Sequence, residues 1–318
     1  MFETTRLPPE LLTETFKHIE NDYKTLYSCI LVNKQWHNIN IPTLWRNPLY
    51  SLNSIKILIN CLLKEDKDSL TSIELTFKLL KKPPSYNYAR FCTIIYISYG
   101  LRNLIKIPLQ NKLINFILEH SVGIRMLSTS NLDCNFLINH RRFDDCFQSL
   151  YAIHWSSPYN GEFFDKLTNI CKNIQSLRIC YAAKYDKDLY ELAQLIKTQN
   201  QIKYLDIGSE RNTILPGELK KAILTHSQSI IFYGSCCKGN NLDDLLLSTF
   251  KNLKTLELRS YAGKIKSWKN ISLPNIESVE MHNINQPFLS DLSGFINING
   301  KIWMLKIINI MILEIANL

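Results

Sequence analysis

The sequence predicts a mixed α/β chain, α+β overall, in which a small three-helix unit leads into an irregular solenoid of strand–helix units. Two observations carry that expectation. Residues 7–46 hold three short stretches of helical hydrophobic spacing, set off by proline and by Asn or Asp. Further on, hydrophobic residues in the form Φ-x-x-Φ-x-Φ begin at Leu150, Ile174, Ile202, Ile230, Leu253, Ile276 and Ile302, spaced 24, 28, 28, 23, 23 and 26 residues apart. Helix-like segments lie between them. A single unit of this length cannot close a core, so stacking has to bury one.

The first helix starts at Pro8-Pro9, whose fixed dihedrals suit a first turn, and Glu10 adds negative charge where the helix dipole favours it. Leu12, Phe16 and Ile19 then recur at i, i+4 and i+7, and Leu11 and Thr15 widen the stripe. Asn21-Asp22 interrupts the pattern and offers Asp22 as cap of a second helix carrying Leu26, Cys29 and Ile30. Asn33 caps a third that carries Trp36; Pro42 ends it or restarts the chain, and Leu44-Trp45 follow as anchors. Below about 40 to 50 residues a unit has too little interior to be stable alone. It needs a partner.

The order of these residues resembles the F-box. The Leu7-Pro8-x-Glu10-Leu11-Leu12 opening, Phe16, Ile19, Leu26, the run Cys29-x-Leu31-Val32-Asn33-Lys34-x-Trp36, and Pro42-x-Leu44-Trp45-Arg46 follow one another as in that family, with Asn33 where many members have Cys. The resemblance implies an F-box domain over residues 1–48 that docks on a Skp-type adaptor, and through it on a cullin and RING ubiquitin ligase. By position it implies adaptor contacts at Leu7, Pro8, Leu11, Leu12, Phe16, Leu26, Leu31 and Val32, with Trp36 holding the helices together. A DNA-reading helix-turn-helix fits less well, because the third helix offers base edges only Lys34, Gln35 and a few Asn. Residues 1–48 also balance five Lys/Arg against five Asp/Glu, which leaves no surplus for phosphates.

Residues 49–122 read as a linker helix and an irregular lead-in to the solenoid. Ile55, Leu58, Ile59, Leu62 and Leu63 share one side of a helix over Leu52 to Leu63, and Leu70, Ile73 and Leu75 have strand-like spacing. Pro83-Pro84 breaks regularity, and Asn111 to His120 has helical spacing again. Residues 123–318 hold the repeats, preceded by a partial copy at Ile124-x-x-Leu127. IQSLRI, IKYLDI, LKTLEL and IESVEM are the clear versions and IIFYGS the weakest; Tyr185 to Lys197 and Leu219 to Leu224 are helix-like.

One strand and one helix per 20 to 29 residues resembles the leucine-rich repeat in degenerate form. The Asn or Cys usual three residues after the third Φ is replaced by Ala182, Glu210, Tyr261, Ile284 and Ile310. A compact α/β domain with coincidental spacing is the alternative. The last copy ends without a polar cap.

The 318 residues are 46% hydrophobic and 20% charged, with a net charge of +9 that lies wholly beyond residue 48. Its basic clusters are short, which suits solvated faces better than nucleic acid. Nine scattered Cys without paired metal-ligand spacing indicate neither a disulfide framework nor a zinc site, and reduced thiols fit an intracellular protein, cytoplasmic and/or nuclear. Met1 to Arg6 leads straight into a polar helix with no signal peptide expected, and the apolar tail from Ile302 is interrupted by Lys306 and Glu314, so no membrane partner is expected. Neither Gly-x-Gly-x-x-Gly nor Gly-x-Ser-x-Gly occurs, and Cys146 lies beside Asp144-Asp145, which would raise a thiol's pKa. The expectation is a non-catalytic protein without cofactor or metal.

In a Φ-x-x-Φ-x-Φ strand the residues between the inward Φ positions face the other way and line a concave surface. Its candidate target contacts are Arg178, Tyr204, Asp206, Glu257, Arg259, Glu280 and His282, a mixture of signs suited to a protein rather than a phosphate backbone. Together these features point to a substrate-receptor subunit of a Skp-cullin-F-box ubiquitin ligase that holds a target protein for degradation. The alternative is a non-degradative F-box scaffold.

Overall fold

The computed structural model describes residues 7–65, 84, 86–97, 101, 105, 107–128, 132, 134–156, 159–181, 189–209, 215–237, 244–259, 271–282, 295, 298–299 and 304–308. Among these the helices, in chain order, are α1 (Pro9–Lys17), α2 (Tyr23–Ile30), α3 (Lys34–Leu44), α4 (Leu52–Glu65), α5 (Ile107–His120), α6 (Cys134–Ile138), α7 (Phe143–Phe147), α8 (Gly161–Ile170), α9 (Tyr190–Lys197), α10 (Gly217–Leu224) and α11 (Asp244–Leu247). The strands are β1 (Ile94–Ile95), β2 (Met126–Ser128), β3 (Ala152–Trp155), β4 (Ser176–Tyr181), β5 (Tyr204–Ser209), β6 (Phe232–Cys237), β7 (Thr255–Arg259), β8 (Ser278–His282) and β9 (Met304–Ile308). The chain forms two compact units: residues 1–126 with 140–146, and residues 127–139 with 147–318.

The first unit begins with three short helices whose ends are set by local chemistry. Asp22 accepts from the Thr25 amide at 3.1 Å and its hydroxyl at 2.7 Å, and Asn33 accepts from the Trp36 amide at 2.9 Å. Pro42 neither ends nor restarts α3, which continues through it to Leu44. Phe16 meets Trp36 edge-on at 5.1 Å, and Leu12, Leu26, Ile41 and Trp45 close the interior around them. Arg46 ties the exit to the first turn, pairing with Glu20 at 2.8 Å and donating to Asn21 at 2.8 Å. Its carbonyl accepts from the amides of Thr93 and Ile94, so the N-terminal helices and the following segment share one unit. Helix α5 starts at Ile107, earlier than its spacing suggested, and Arg142 closes its C-terminal end with bonds to the carbonyls of Leu118, Glu119 and Ser121.

In the second unit strands β3 to β9 stand in sequence order, each parallel to the next. This is a parallel strand–helix repeat sheet that follows the N-terminal helices in the chain, mixed α/β, in keeping with a leucine-rich-repeat-like solenoid. The inward row Leu177, Leu205, Tyr233, Leu256 and Val279 is buried, as is the next, Ile179, Ile207, Ser235, Leu258 and Met281. Weakest in sequence, β6 keeps full register with both neighbours: Tyr233 takes an inward position and packs on Phe250 at 5.2 Å. Helix α8, capped by Asn160 at the Phe163 amide, buries Phe163, Phe164 and Leu167 and was not apparent from spacing.

Among the described residues, turns between helix and strand are satisfied by buried polar side chains that lie ahead of the strand. Gln199 accepts from the Ile174 amide at 3.0 Å and donates to the carbonyls of Cys171 and Leu195. Asn299 accepts from the Leu273 amide at 2.6 Å and donates to Ile271 and Phe295. The His226 ring lies 3.4 Å from the Ile202 amide and 2.7 Å from the Ile196 carbonyl, and the Cys171 thiol donates to Phe147. Each rung reaches back one repeat. The expected strand at Leu70 to Leu75, the side chains of Leu63 and Lys306, the start of the helix at Tyr185, the positions Ala182, Glu210, Tyr261, Ile284 and Ile310, and the chain end all lie outside the described residues.

Candidate functional site

The eight residues that the N-terminal motif singles out divide into two sets. Leu12, Phe16 and Leu26 are core: Leu12 is 2% exposed, and the other two are equally enclosed. They present no surface to a partner in this conformation, because the i, i+4 stripe of α1 closes onto α3. Leu7, Pro8, Leu11, Leu31 and Val32 stay outside, with Leu11 57% and Leu31 70% exposed. Tyr27 on α2 is exposed as well and was missed, although its place one residue after the buried Leu26 could have marked it. The Gln35 side chain fixes the Leu7 end by donating to its carbonyl at 3.0 Å. Large apolar side chains left in water around a small closed interior are the chemistry of a docking face.

The second candidate is the outward row of the sheet. Register sets His154, Arg178, Asp206, Gly234, Glu257, Glu280 and Lys306 side by side on seven successive strands. Asp206 is 3% exposed and is the keystone. Arg178 Nε lies 2.8 Å from its Oδ2, an ion pair off the hydrogen-bonding direction, and Arg259 Nη2 bonds its Oδ1. Arg259 sits two strands away on β7 and reaches Asp206 across β6 because the residue between them is Gly234. A Cβ there would stand 2.7 Å from Asp206 Oδ1 and 2.8 Å from its Cγ.

Arg259 also lies 3.5 Å from Glu257, and His282 Nε2 lies 3.9 Å from Glu257 and 3.6 Å from Glu280. Burial works against the Arg259 charge, yet the Asp206 and Glu257 carboxylates outweigh it and raise its pKa. Burial, with Arg178 adding to it, holds the His154 imidazole below its ordinary value, so His154 is neutral near pH 7. Tyr204 is exposed beside this row, its ring 6.2 Å from Phe232.

Six of the seven expected target contacts thus lie in one chain, Arg178–Asp206–Arg259–Glu257–His282–Glu280, in which charge alternates from Arg178 to Glu257 and the His282 ring stands between two carboxylates, and Tyr204 flanks it. The outward residues of β6, Phe232, Gly234 and Cys236, complete the surface and were missed because Tyr233 and Ser235 obscure the hydrophobic alternation around them. Among the described residues no group of three or more His, Cys, Asp or Glu is placed to hold a metal ion, and no helix is long and apolar enough to cross a membrane.

Among solved structures the chain is similar to one described as "Crystal structure of TLR13-ssRNA13 complex", at 11% identity and a TM-score of 0.34, over 74% of this chain and 32% of that one. It therefore spans about a third of that chain's length. No curated protein matches the sequence. The family model described as F-box-like matches residues 4–51, and the three short helices with their exposed apolar face are an F-box-like domain.

Proposed function

We propose that this chain is a non-catalytic substrate-receptor subunit of a Skp-cullin-F-box type ubiquitin ligase, acting in the cytoplasm or nucleus. The F-box-like domain holds a Skp-type adaptor, and the sheet's outward face, on a degenerate leucine-rich repeat, holds a target protein. The carrying observation is the set Leu7, Pro8, Leu11, Leu31 and Val32, exposed within the segment that matches the F-box-like model. Leu12, Phe16 and Leu26 serve beneath that face by fixing the helices that display it.

The test is co-elution of the full chain with a Skp adaptor, compared with Leu11→Asp and Leu31→Asp. Both positions are exposed, so the variants should fold. A charge set into a desolvated anchor costs several kcal/mol, on the order of a hundredfold or more in affinity. Full adaptor binding by either variant, with an unchanged circular dichroism spectrum, refutes the assignment of that contact.

A further inference from the structure

We propose that Cys180 and Cys236 form a two-coordinate site for a soft monovalent metal ion of the copper(I) class on the outward face of the sheet.

The two cysteines belong to the outward row next to the charged one. Register carries Cys180 on β4 to Gly208 on β5, Gly208 to Cys236 on β6, and Cys236 to Arg259 on β7. Two repeats separate the thiols in sequence, so no local motif marks them. Gly208 is what lets them meet: a Cβ on it would lie 3.1 Å from the Cys236 Cβ and 3.8 Å from the Cys180 sulfur. Neighbouring strands stand ~4.8 Å apart, so a Cβ separation of 3.1 Å means that the outward face closes inward here. That curvature carries the two side chains toward each other over the glycine. Cys180 is exposed and Cys236 half-buried, which leaves the gap open to an ion from solution. The buried thiols have another role: those of Cys146 and Cys171 donate to the carbonyls of Leu118 and Phe147.

The spacing selects the ligand. A disulfide requires its two Cα atoms within about 7 Å, and two strand steps place them nearer ~9.6 Å. Two sulfurs joined through one ion are about 4–5 Å apart at a metal–sulfur bond of ~2.3 Å, a span that side chains leaning in from the first and third of three strands can meet. Thiolates select soft ions, and copper(I) is satisfied by two of them in line. Zinc seeks four ligands, and among the described residues no group of three or more His, Cys, Asp or Glu is placed to hold a metal ion. On binding, both thiols release their protons to solvent and two sulfur–metal bonds form with no change of oxidation state. The resulting centre carries a net negative charge. The Arg259 guanidinium, next in register and within electrostatic reach of the Cys236 thiol, offsets it.

The test is anaerobic titration of the reduced full-length chain with copper(I) against the chromophoric chelator bicinchoninate. Cys180→Ser, Cys236→Ser and Gly208→Ala are compared with the native protein, with circular dichroism to verify folding. The native chain should hold an ion against the chelator and show two sulfur neighbours by X-ray absorption spectroscopy. Either serine variant should bind at least ~100-fold more weakly, because a second thiolate held beside the first acts at high effective concentration. Gly208→Ala keeps both thiols but fills the gap between them, and should weaken binding at least ~10-fold. Independently of the metal, dibromobimane, which fluoresces on joining two neighbouring thiols, should link Cys180 to Cys236 in the native chain. No ion held by the native chain, native affinity in either serine variant or in Gly208→Ala, or the absence of that link overturns the proposal.

Discussion

Replacing Gly234 with Ala puts the keystone of the outward row under direct strain. The new Cβ would lie 2.7 Å from Oδ1, 2.8 Å from Cγ and 3.2 Å from Cβ of Asp206, the first two closer than real Cβ contacts come. Asp206 has no exit: it is buried, and two guanidiniums hold its oxygens. Overpacking of this kind costs about 1–3 kcal/mol, and complete loss of one partner of a buried ion pair about 3–5 kcal/mol. Because the carboxylate is displaced rather than removed, the expected loss is about 2–3 kcal/mol. At about 2–4 °C per kcal/mol for a unit of this size, the melting temperature should fall by roughly 4–12 °C.

The other glycines supply a scale for that result. Gly217, in the first turn of α10, has nothing within 4 Å of an added Cβ, so Gly217→Ala should be neutral or mildly stabilising. Gly208 meets the Cys236 Cβ at 3.1 Å and should fall between the two. Chemical denaturation of the three variants, followed by circular dichroism, gives the order. A Gly234→Ala protein within about 0.5 kcal/mol of native, the range of an ordinary surface substitution, would refute the argument that the missing side chain is what lets Arg259 reach Asp206.

Gln199→Leu leaves the Ile174 amide and the Cys171 carbonyl without a buried partner, while the Leu195 carbonyl keeps the Thr198 hydroxyl, and should cost about 3 kcal/mol in the same assay; a loss under about 1 kcal/mol would mean that the two orphaned groups find other partners. Burial depresses the imidazoles of His154 and His140, the latter against the pull of Glu119. A base whose folded pKa lies below its unfolded one leaves the unfolded state binding more protons, so stability should be full above about pH 6.5 and fall as the pH drops below it. Double substitution of both by Gln should flatten that fall, and an unchanged slope would refute the assignment. Burial pushes the Cys92 and Cys171 thiols up to about 12, whereas Cys180 is exposed. Iodoacetamide at neutral pH should therefore label Cys180 first and spare the other two, as read by peptide mass spectrometry; labelling of Cys171 at the rate of Cys180 would contradict it.

The features legible in the sequence were those set by nearest neighbours along the chain. Asp22 and Asn33 cap the helices their spacing assigned them, and the alternation around Leu256 and Leu258 places Glu257 outward as read. The rest depends on distances the chain does not display. Leu11 and Leu12 are adjacent in sequence, but which one faces water is decided by how α1 lies on α3. Gln199 and Asn299 are ordinary polar residues on paper; they matter because the preceding repeat brings an unsatisfied amide within reach, and the only trace is their place three residues before Ile202 and Ile302. Gly234 gave no signal, since its meaning comes from Asp206, 28 residues earlier, and Arg259, 25 residues later.

The rungs of Gln199, His226 and Asn299 each tie a repeat only to the one before it, and such an array has a particular mechanical character. Drawn out from its C-terminal end, it would yield unit by unit, each event freeing 23 to 28 residues, about 80–100 Å of contour. The bond from Arg259 to Asp206 is the exception, for it skips a strand. It clasps β5, β6 and β7 into one block. The force trace of an otherwise regular sawtooth would there show a single taller peak, and the outward row of charges would be the last part of that block to lose its shape.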